Sequence, residues 1–199
     1  MKGAQTRQDI LEAAIARFGR DGFRATSVAD IARDVGVSGT AAYAYFPNKE
    51  ALFLAAIDED AAAVIREGLF SVVGEPQIRD WRQTLVYTLA GAITGHPVAR
   101  RVLAGLEPEV TERVLEIPAL ADLRKACTER IRTEQLAGTV RPDIDAASIG
   151  NGVVSIVLSL LMSVVQVGPN AAVAYGTDVA AVFEAALSPL PPGFPGLDR

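Results

Sequence analysis

The chain has 199 residues, half of them hydrophobic, with a formal net charge of -5, one Cys and one His. That supports one large domain or two small ones with a sizeable core, and a lone cysteine excludes an intramolecular disulfide framework and a Cys-rich zinc site. Alanine and other helix formers dominate and no sustained apolar/polar alternation appears, so an all-α fold is expected.

Met1 to Gln5 reads as a mobile arm. A first helix is expected from Thr6 to Gly19, with Ile10, Leu11, Ala14, Ile15 and Phe18 as its apolar stripe. Gly19 and Gly22 end it, and Phe23 is expected in the core. The stretch Thr26 to Tyr45, TSVADIARDVGVSGTAAYAY, reads as helix, tight turn, short helix. Ser27 caps the first helix with Asp30 three residues on, and Val28, Ile31, Ala32 and Val35 form its stripe. Gly36 stands where a left-handed C-cap is needed, Val37 plugs the angle, and Ser38 caps a second helix over Gly39 to Tyr45. Two short helices around a Gly-containing turn can place the second in a major groove.

Asn48 caps a long helix expected to run to Val73, with Leu52, Phe53, Ala56, Ala63, Val64 and Phe70 inward, and Gly74-Glu75-Pro76 break it. Further helices are expected over 78–94 (Trp81, Leu85, Val86, Leu89 and Ile93 inward), 98–106, 118–137 (Leu120, Leu123, Ile131 and Leu136 inward), 145–167 and 171–187, with a short segment at 108–115. Ser188 to Arg199 is Pro/Gly-rich and reads as a disordered tail.

The first 50 residues carry seven Lys/Arg and six Asp/Glu, one net positive charge, which leaves -6 for the rest. An acidic body with a near-neutral head suits a protein that presents only its head to DNA. Met1 to Arg7 is polar with no long apolar run after it, so no signal peptide is expected. Ile149 to Val167 is apolar enough to raise a membrane question, but its Asn, Ser, Gln and Gly and its lack of basic flanks favour a buried or interface helix.

The run Tyr43, Tyr45, Phe46, Pro47, Asn48, Lys49, Glu50, Ala51, Leu52, taken with Phe23, Thr26, Ile31, Ala32, Gly36, Val37 and Ser38, resembles the N-terminal domain of the tetracycline-repressor (TetR) family of transcriptional regulators over roughly 6–53. The resemblance implies a three-helix helix-turn-helix head (1–50), a helical effector-binding and dimerisation body (51–187) and a tail (188–199). It implies a cytoplasmic homodimeric repressor, released from a palindromic operator in double-stranded DNA by a small-molecule effector, with no cofactor and no membrane. The last two helices would pair with their copies in a second subunit.

Carried over residue by residue, Thr26, Ser38, Tyr43, Tyr45 and Lys49 fall where the family touches phosphate. Each has a plainer role: Thr26 and Ser38 as caps, Tyr43 as core, Lys49 as a solvated cation. A cation at a helix start is electrostatically misplaced unless phosphate is near, which favours contact for Lys49. Lys2 and Arg7 could touch phosphate, although a solvated terminus is the reading favoured for them. Base contacts fall to Gly39, Thr40 and Ala44, with Ala41 and Ala42 beside them. Here the chain departs from the common pattern, because this helix has no Arg, Lys, Asn or Gln for a bidentate base contact. Close approach, thymine-methyl contacts and DNA shape would then carry specificity. A helical sensor or interaction protein whose head has lost strong DNA binding is the alternative.

In the body, Trp81, Tyr87, Leu103, Leu123, Asn151 and Ser155 are the candidate effector-pocket residues, with plain core the commoner role for Trp81 and Tyr87 and Asn151 in need of a partner in the core, the other subunit or a ligand; a small, mostly apolar effector is expected. Catalysis is not expected. His96 reads as a solvated or capping loop residue, and HExxH, Walker and GxGxxG motifs are missing. Glu107/Glu109 and Asp143/Asp145 read as solvated loop and cap residues. Cys127 is expected as a small buried thiol.

Overall fold

The computed structural model describes residues 2–168 and 170–189. Most of the expected tail, 190–199, lies outside the described residues. Among those described, nine α-helices carry the fold: α1 (Lys2–Ala25), α2 (Val28–Asp34), α3 (Gly39–Tyr43), α4 (Lys49–Gly68), α5 (Trp81–Ala92), α6 (Pro97–Leu103), α7 (Pro118–Leu136), α8 (Ala146–Val167) and α9 (Asn170–Leu187). They form two compact units, one comprising the chain up to Ile65 and Ala92–Ala119, the other Arg66–Gly91 and the chain from Leu120 onward. α6 with its flanking loops thus belongs to the same unit as the first 65 residues, the head.

The first unit is built around Ile10, Leu11, Ala14, Phe18, Ile31, Leu52, Phe53, Ala56 and Val98, all buried. Phe18, Phe23 and Phe53 form an aromatic cluster, with ring centroids 4.8 Å apart for Phe18–Phe53 and 4.9 Å for Phe23–Phe53. The expected mobile arm is helical from Lys2, because Gln5 donates to Asp9 (2.8 Å) and Gln8 to Glu12 (3.0 Å), i,i+4 pairs that stiffen the first turns. Gly22 does interrupt α1, at φ 84° and ψ 169°, and three more residues turn before the chain leaves it.

Three contacts hold α6 onto α1 and α4. Gly19 gives Pro97 room that a Cβ would fill. Asp60, 4% exposed, accepts the first free backbone N–H groups of α6 from Val98 (2.8 Å) and Ala99 (2.9 Å) and pairs with His96 Nδ1 at 2.9 Å. An acid at a helix N-terminus satisfies orphan donors and meets the positive end of the helix dipole. His96 is thus neither solvated nor a cap by its own side chain. Glu107 is not a solvated loop residue either: 4% exposed, it accepts from Phe23 N–H (3.2 Å) and Arg101 Nε (2.5 Å).

In the second unit, Trp81, Leu85, Leu89, Leu123, Ile131, Val153 and Val157 fill the interior. The expected run from Asn48 to Val73 continues beyond α4 as a wider π-helical turn over Leu69–Val73. The extra residue per turn rotates the register and leaves Phe70 75% exposed instead of inward. Leu136 is 91% exposed; five residues past Ile131 it lies about 140° off the buried stripe. Arg130 ties the 73–78 loop to α7 by donating to the carbonyls of Glu75 (2.8 Å) and Ile78 (2.9 Å). Gly150 lets α8 approach Thr128, whose Oγ1 would lie 2.6 Å from a Cβ there. Asp145 caps α8 by accepting from Ser148 N–H at 2.6 Å, which holds its carboxyl below the usual range.

Cys127 is fully buried and desolvation pushes its thiol up to about 12. It should stay protonated and inert to a thiol reagent at pH 8 until the protein unfolds; stoichiometric labelling of the native protein on the unfolded timescale would contradict this.

Candidate functional site

The corner formed by α2 and α3 is specified by its caps. Ser27 Oγ accepts from Asp30 N–H (3.1 Å) and donates to the Asp30 carboxylate (2.6 Å), a variant of the capping box in which the acid answers the hydroxyl. Gly36 takes φ 70°, and Val37 N–H returns to Ala32 carbonyl at 3.0 Å, closing α2 as a left-handed cap does. Ser38 Oγ accepts from Ala41 N–H at 3.1 Å and starts α3. Asn48 Oδ1 accepts from Ala51 N–H at 2.7 Å and starts α4.

On α3 and its C-cap, Thr40, Tyr43 and Ala44 are exposed while Ala42 is fully buried. Offsets of three and four residues put those three side chains on one outward face. Ala42 belongs to the core and leaves the groove-facing set. Gly39 is half-buried; a Cβ there would sit 3.9 Å from Ala29 Cα, an ordinary contact, so the fold does not demand a glycine.

Thr26 is corrected by its surroundings. It is 3% exposed and its hydroxyl donates to Gly22 carbonyl at 2.8 Å, so the side chain braces the α1–α2 joint and does not offer itself to phosphate. Tyr43 is 51% exposed, not core. Tyr45 is half-buried, with its hydroxyl near Gly3 on the first turn of α1.

The head's cations divide into two groups. Arg17 pairs with Asp34, Arg20 with Asp21 (2.7 Å), Arg24 with Glu109 and Arg33 with Asp30 (2.7 Å). The Arg17 hydrogen bond holds Asp34 below the usual carboxylate range, and Ser27 followed by Arg33 does the same for Asp30. Among the described side chains of residues 1–65, Arg7 and Lys49 have no carboxylate partner. Each is held over a ring, Arg7 4.8 Å from the Phe46 centroid and Lys49 4.3 Å from that of Phe23, a contact that steadies a cation without neutralising it. The sequence marked Lys49; the preparation of Arg7 by Phe46 is visible only in the fold.

The six expected effector residues do not converge. Trp81 and Leu123 are core, and Trp81 Nε1 donates to Glu134 at 2.8 Å. Leu103 is buried in the first unit, on α6, while the others belong to the second. Asn151 and Ser155 are exposed on α8, with Ser155 Oγ donating to Asn151 carbonyl at 3.0 Å. Of the six, Tyr87 alone borders the cleft of about 830 Å³ that opens among α5, α7 and α9 in the second unit. The side chains that shape this cleft, Arg82, Arg130, Glu134, Val179 and Phe183, were not marked in the sequence. Their partners lie some fifty residues apart in the chain, and the i,i+4 spacing of Arg130 and Glu134 was the one local sign.

The model of "Bacterial regulatory proteins, tetR family" matches residues 10–56. An HTH-type transcriptional repressor, Rv1474c of Mycobacterium tuberculosis, is 30% identical over 149 residues, spanning 71% of this chain and 72% of its own. A tetR-family transcriptional regulator from Mesorhizobium loti has the same fold, with a TM-score of 0.70 at 18% identity over 94% of this chain and 99% of its own. So has Thermus thermophilus FadR, a transcriptional repressor in complex with lauroyl-CoA, with a TM-score of 0.63 at 21% identity over 96% and 100%.

Proposed function

The chain belongs to the tetR family of bacterial regulatory proteins, and from that premise we propose a cytoplasmic, homodimeric repressor that holds a palindromic operator and leaves it when a small molecule binds. It is a DNA-binding transcriptional regulator; the alternative of a sensor without DNA binding gives way to this. The observation that carries the reading is the single exposed face of Thr40, Tyr43 and Ala44 on the second helix of the corner. These side chains are short or uncharged at the base-facing positions, so α3 seats deeply and reads thymine methyls and groove shape. Gly39 supports this, since the bare position is not imposed by packing. Ser38, Tyr43, Tyr45, Lys49 and Arg7 hold the phosphates.

Selection of binding sites from random duplex DNA by wild type, Thr40→Ala and Ala44→Gly tests the base-reading assignment. The substitutions should each shift the selected sequence at one symmetric pair of positions; identical sites from all three proteins would remove α3 from direct readout. Arg7→Ala and Lys49→Ala should instead weaken binding on every sequence and each flatten the log–log salt dependence by about one unit per subunit. An unchanged slope in a titration by fluorescence anisotropy would strike that residue from the contact set.

The dimer reading rests on α8. The helix is long and apolar enough to cross a membrane by length and composition, yet only a third of its most apolar stretch is buried in one chain. Ser155, Ser159 and Ser163 each donate to the carbonyl four residues back at 3.0 Å, so their hydroxyl protons are already spent and the face can be covered by a second copy at little polar cost. The effector reading is supported by the cleft in the second unit and by the ligand carried by the Thermus structural neighbour.

A further inference from the structure

We propose, resting on the ligand-gated reading above, that the cleft among α5, α7 and α9 binds a small amphipathic carboxylate, with its head group on Arg82 and its chain against Val86, Val179 and Phe183. The cleft's volume of about 830 Å³ falls within the range of about 300–1,000 Å³ in which small ligands bury most of their surface. The deep polar end is short of negative charge. Glu134 is the shared acceptor for three donors: Trp81 Nε1 at 2.8 Å, Arg82 Nη2 at 2.5 Å and Arg130 Nε at 3.4 Å. One carboxylate thus answers two guanidinium groups whose side chains are 17% and 10% exposed. Arg130 spends its other N–H groups on main-chain carbonyls of the 73–78 loop, which fixes it but cancels no charge.

Arg82 stacks 4.6 Å from the Trp81 ring centroid and borders the cleft. A guanidinium beside a cleft is suited to a carboxylate by charge and by its forked geometry. Arg79, Asp80 and Glu184 also border the cleft, but all three are exposed at its rim, where water screens them. Apolar side chains line the cleft too: Val86, one turn along α5 from Arg82, and Leu160 are buried, and Val179 and Phe183 are half-buried. A cationic end and an oily wall select an acid carrying a hydrocarbon chain over a neutral molecule of the same size. This revises the expected effector from mostly apolar to amphipathic.

Trp81 is the only tryptophan of the chain and touches both Arg82 and Glu134, so its emission reports on the site. Full-length protein is titrated with octanoate and with 1-octanol, followed by Trp81 fluorescence and calorimetry. Octanoate should saturate and bind about tenfold or more tighter than octanol, the difference a charge-assisted pair supplies. Arg82→Met should erase that preference and Arg82→Lys should keep most of it. Since Arg82→Met leaves Glu134 with one partner fewer, Ala180→Phe is run beside it; it fills the cleft from the half-buried side of α9 and should abolish binding of both probes with an unchanged helical spectrum. Equal binding of acid and alcohol, no binding of either, a preference that survives Arg82→Met, or octanoate binding that survives Ala180→Phe would each overturn the proposal. The same titration in the presence of DNA flanking the protein's own coding region separates the two ideas. Arg82-dependent octanoate binding that leaves the DNA complex intact upholds the cleft and defeats gated release.

Discussion

Asp60→Ala is expected to lower the unfolding free energy by about 3 kcal/mol, since it strands two buried backbone donors and removes the acceptor facing His96 Nδ1. The carboxylate is 4% exposed and accepts from Val98 and Ala99 N–H at 2.8 and 2.9 Å while facing His96 Nδ1 at 2.9 Å. Alanine supplies no acceptor, and the start of α6 cannot reach water without lifting off α4. Asp60→Asn keeps one oxygen for the backbone and should lose roughly half as much. Urea unfolding followed by helical signal measures this, and Trp81 fluorescence, which reads the second unit, shows whether the loss stays with the first. A variant as stable as wild type would mean that the N-terminus of α6 finds other acceptors. Operator affinity should fall with stability, because Asp60 holds α6 against the helix that follows the DNA-reading corner.

Gly22→Ala is the second large effect, expected at about 3 kcal/mol or more. At φ 84° and ψ 169° the residue occupies a region that is essentially glycine-only, and forcing a side chain there costs about 1–3 kcal/mol by itself. The remainder is steric. A Cβ would run into the Arg101 guanidinium and lie 2.9 Å from Glu107 Oε1, prising apart the pair that also holds Phe23 N–H. Gly36→Ala is the control: its φ is 70°, but open space surrounds the added carbon, so it should lose only about 1 kcal/mol. Equal losses at the two positions in thermal or urea unfolding would refute the steric half of the explanation.

The parts legible in the sequence were those with a local cause. Ser27, Ser38, Asn48 and Asp145 cap helices because a side-chain oxygen three residues before an N–H is a short-range geometry, and Gly36 closes α2 because few other residues take its φ. The exposure of Thr40 and Ala44 was legible for the same reason, since residues four apart share a side of any helix. What was not legible depends on distant partners. Thr26 read as a phosphate donor until Gly22 carbonyl was placed next to it. Glu107 read as solvated until Phe23 and Arg101 met it across more than eighty residues in one case. Asp60 was visible in principle, as an acid four residues from Ala56 and three from Ile57 on a buried face. The six effector candidates do not converge, because in a sequence aromatic and apolar side chains look alike whether they fill a core, as Trp81 and Leu123 do, or border a cleft, as Tyr87 does.

The interleaving of the two units has a practical outcome for anyone who would dissect the gene. A fragment cut after residue 65 would leave out Pro97, Val98 and Glu107, so Gly19 would face solvent, Asp60 would keep no helix to cap and Phe23 N–H would lose its acceptor. The DNA-reading piece cannot be excised by a single scission. A minimal version has to splice 92–119 back onto the first 65 residues, through a linker that stands in for α5.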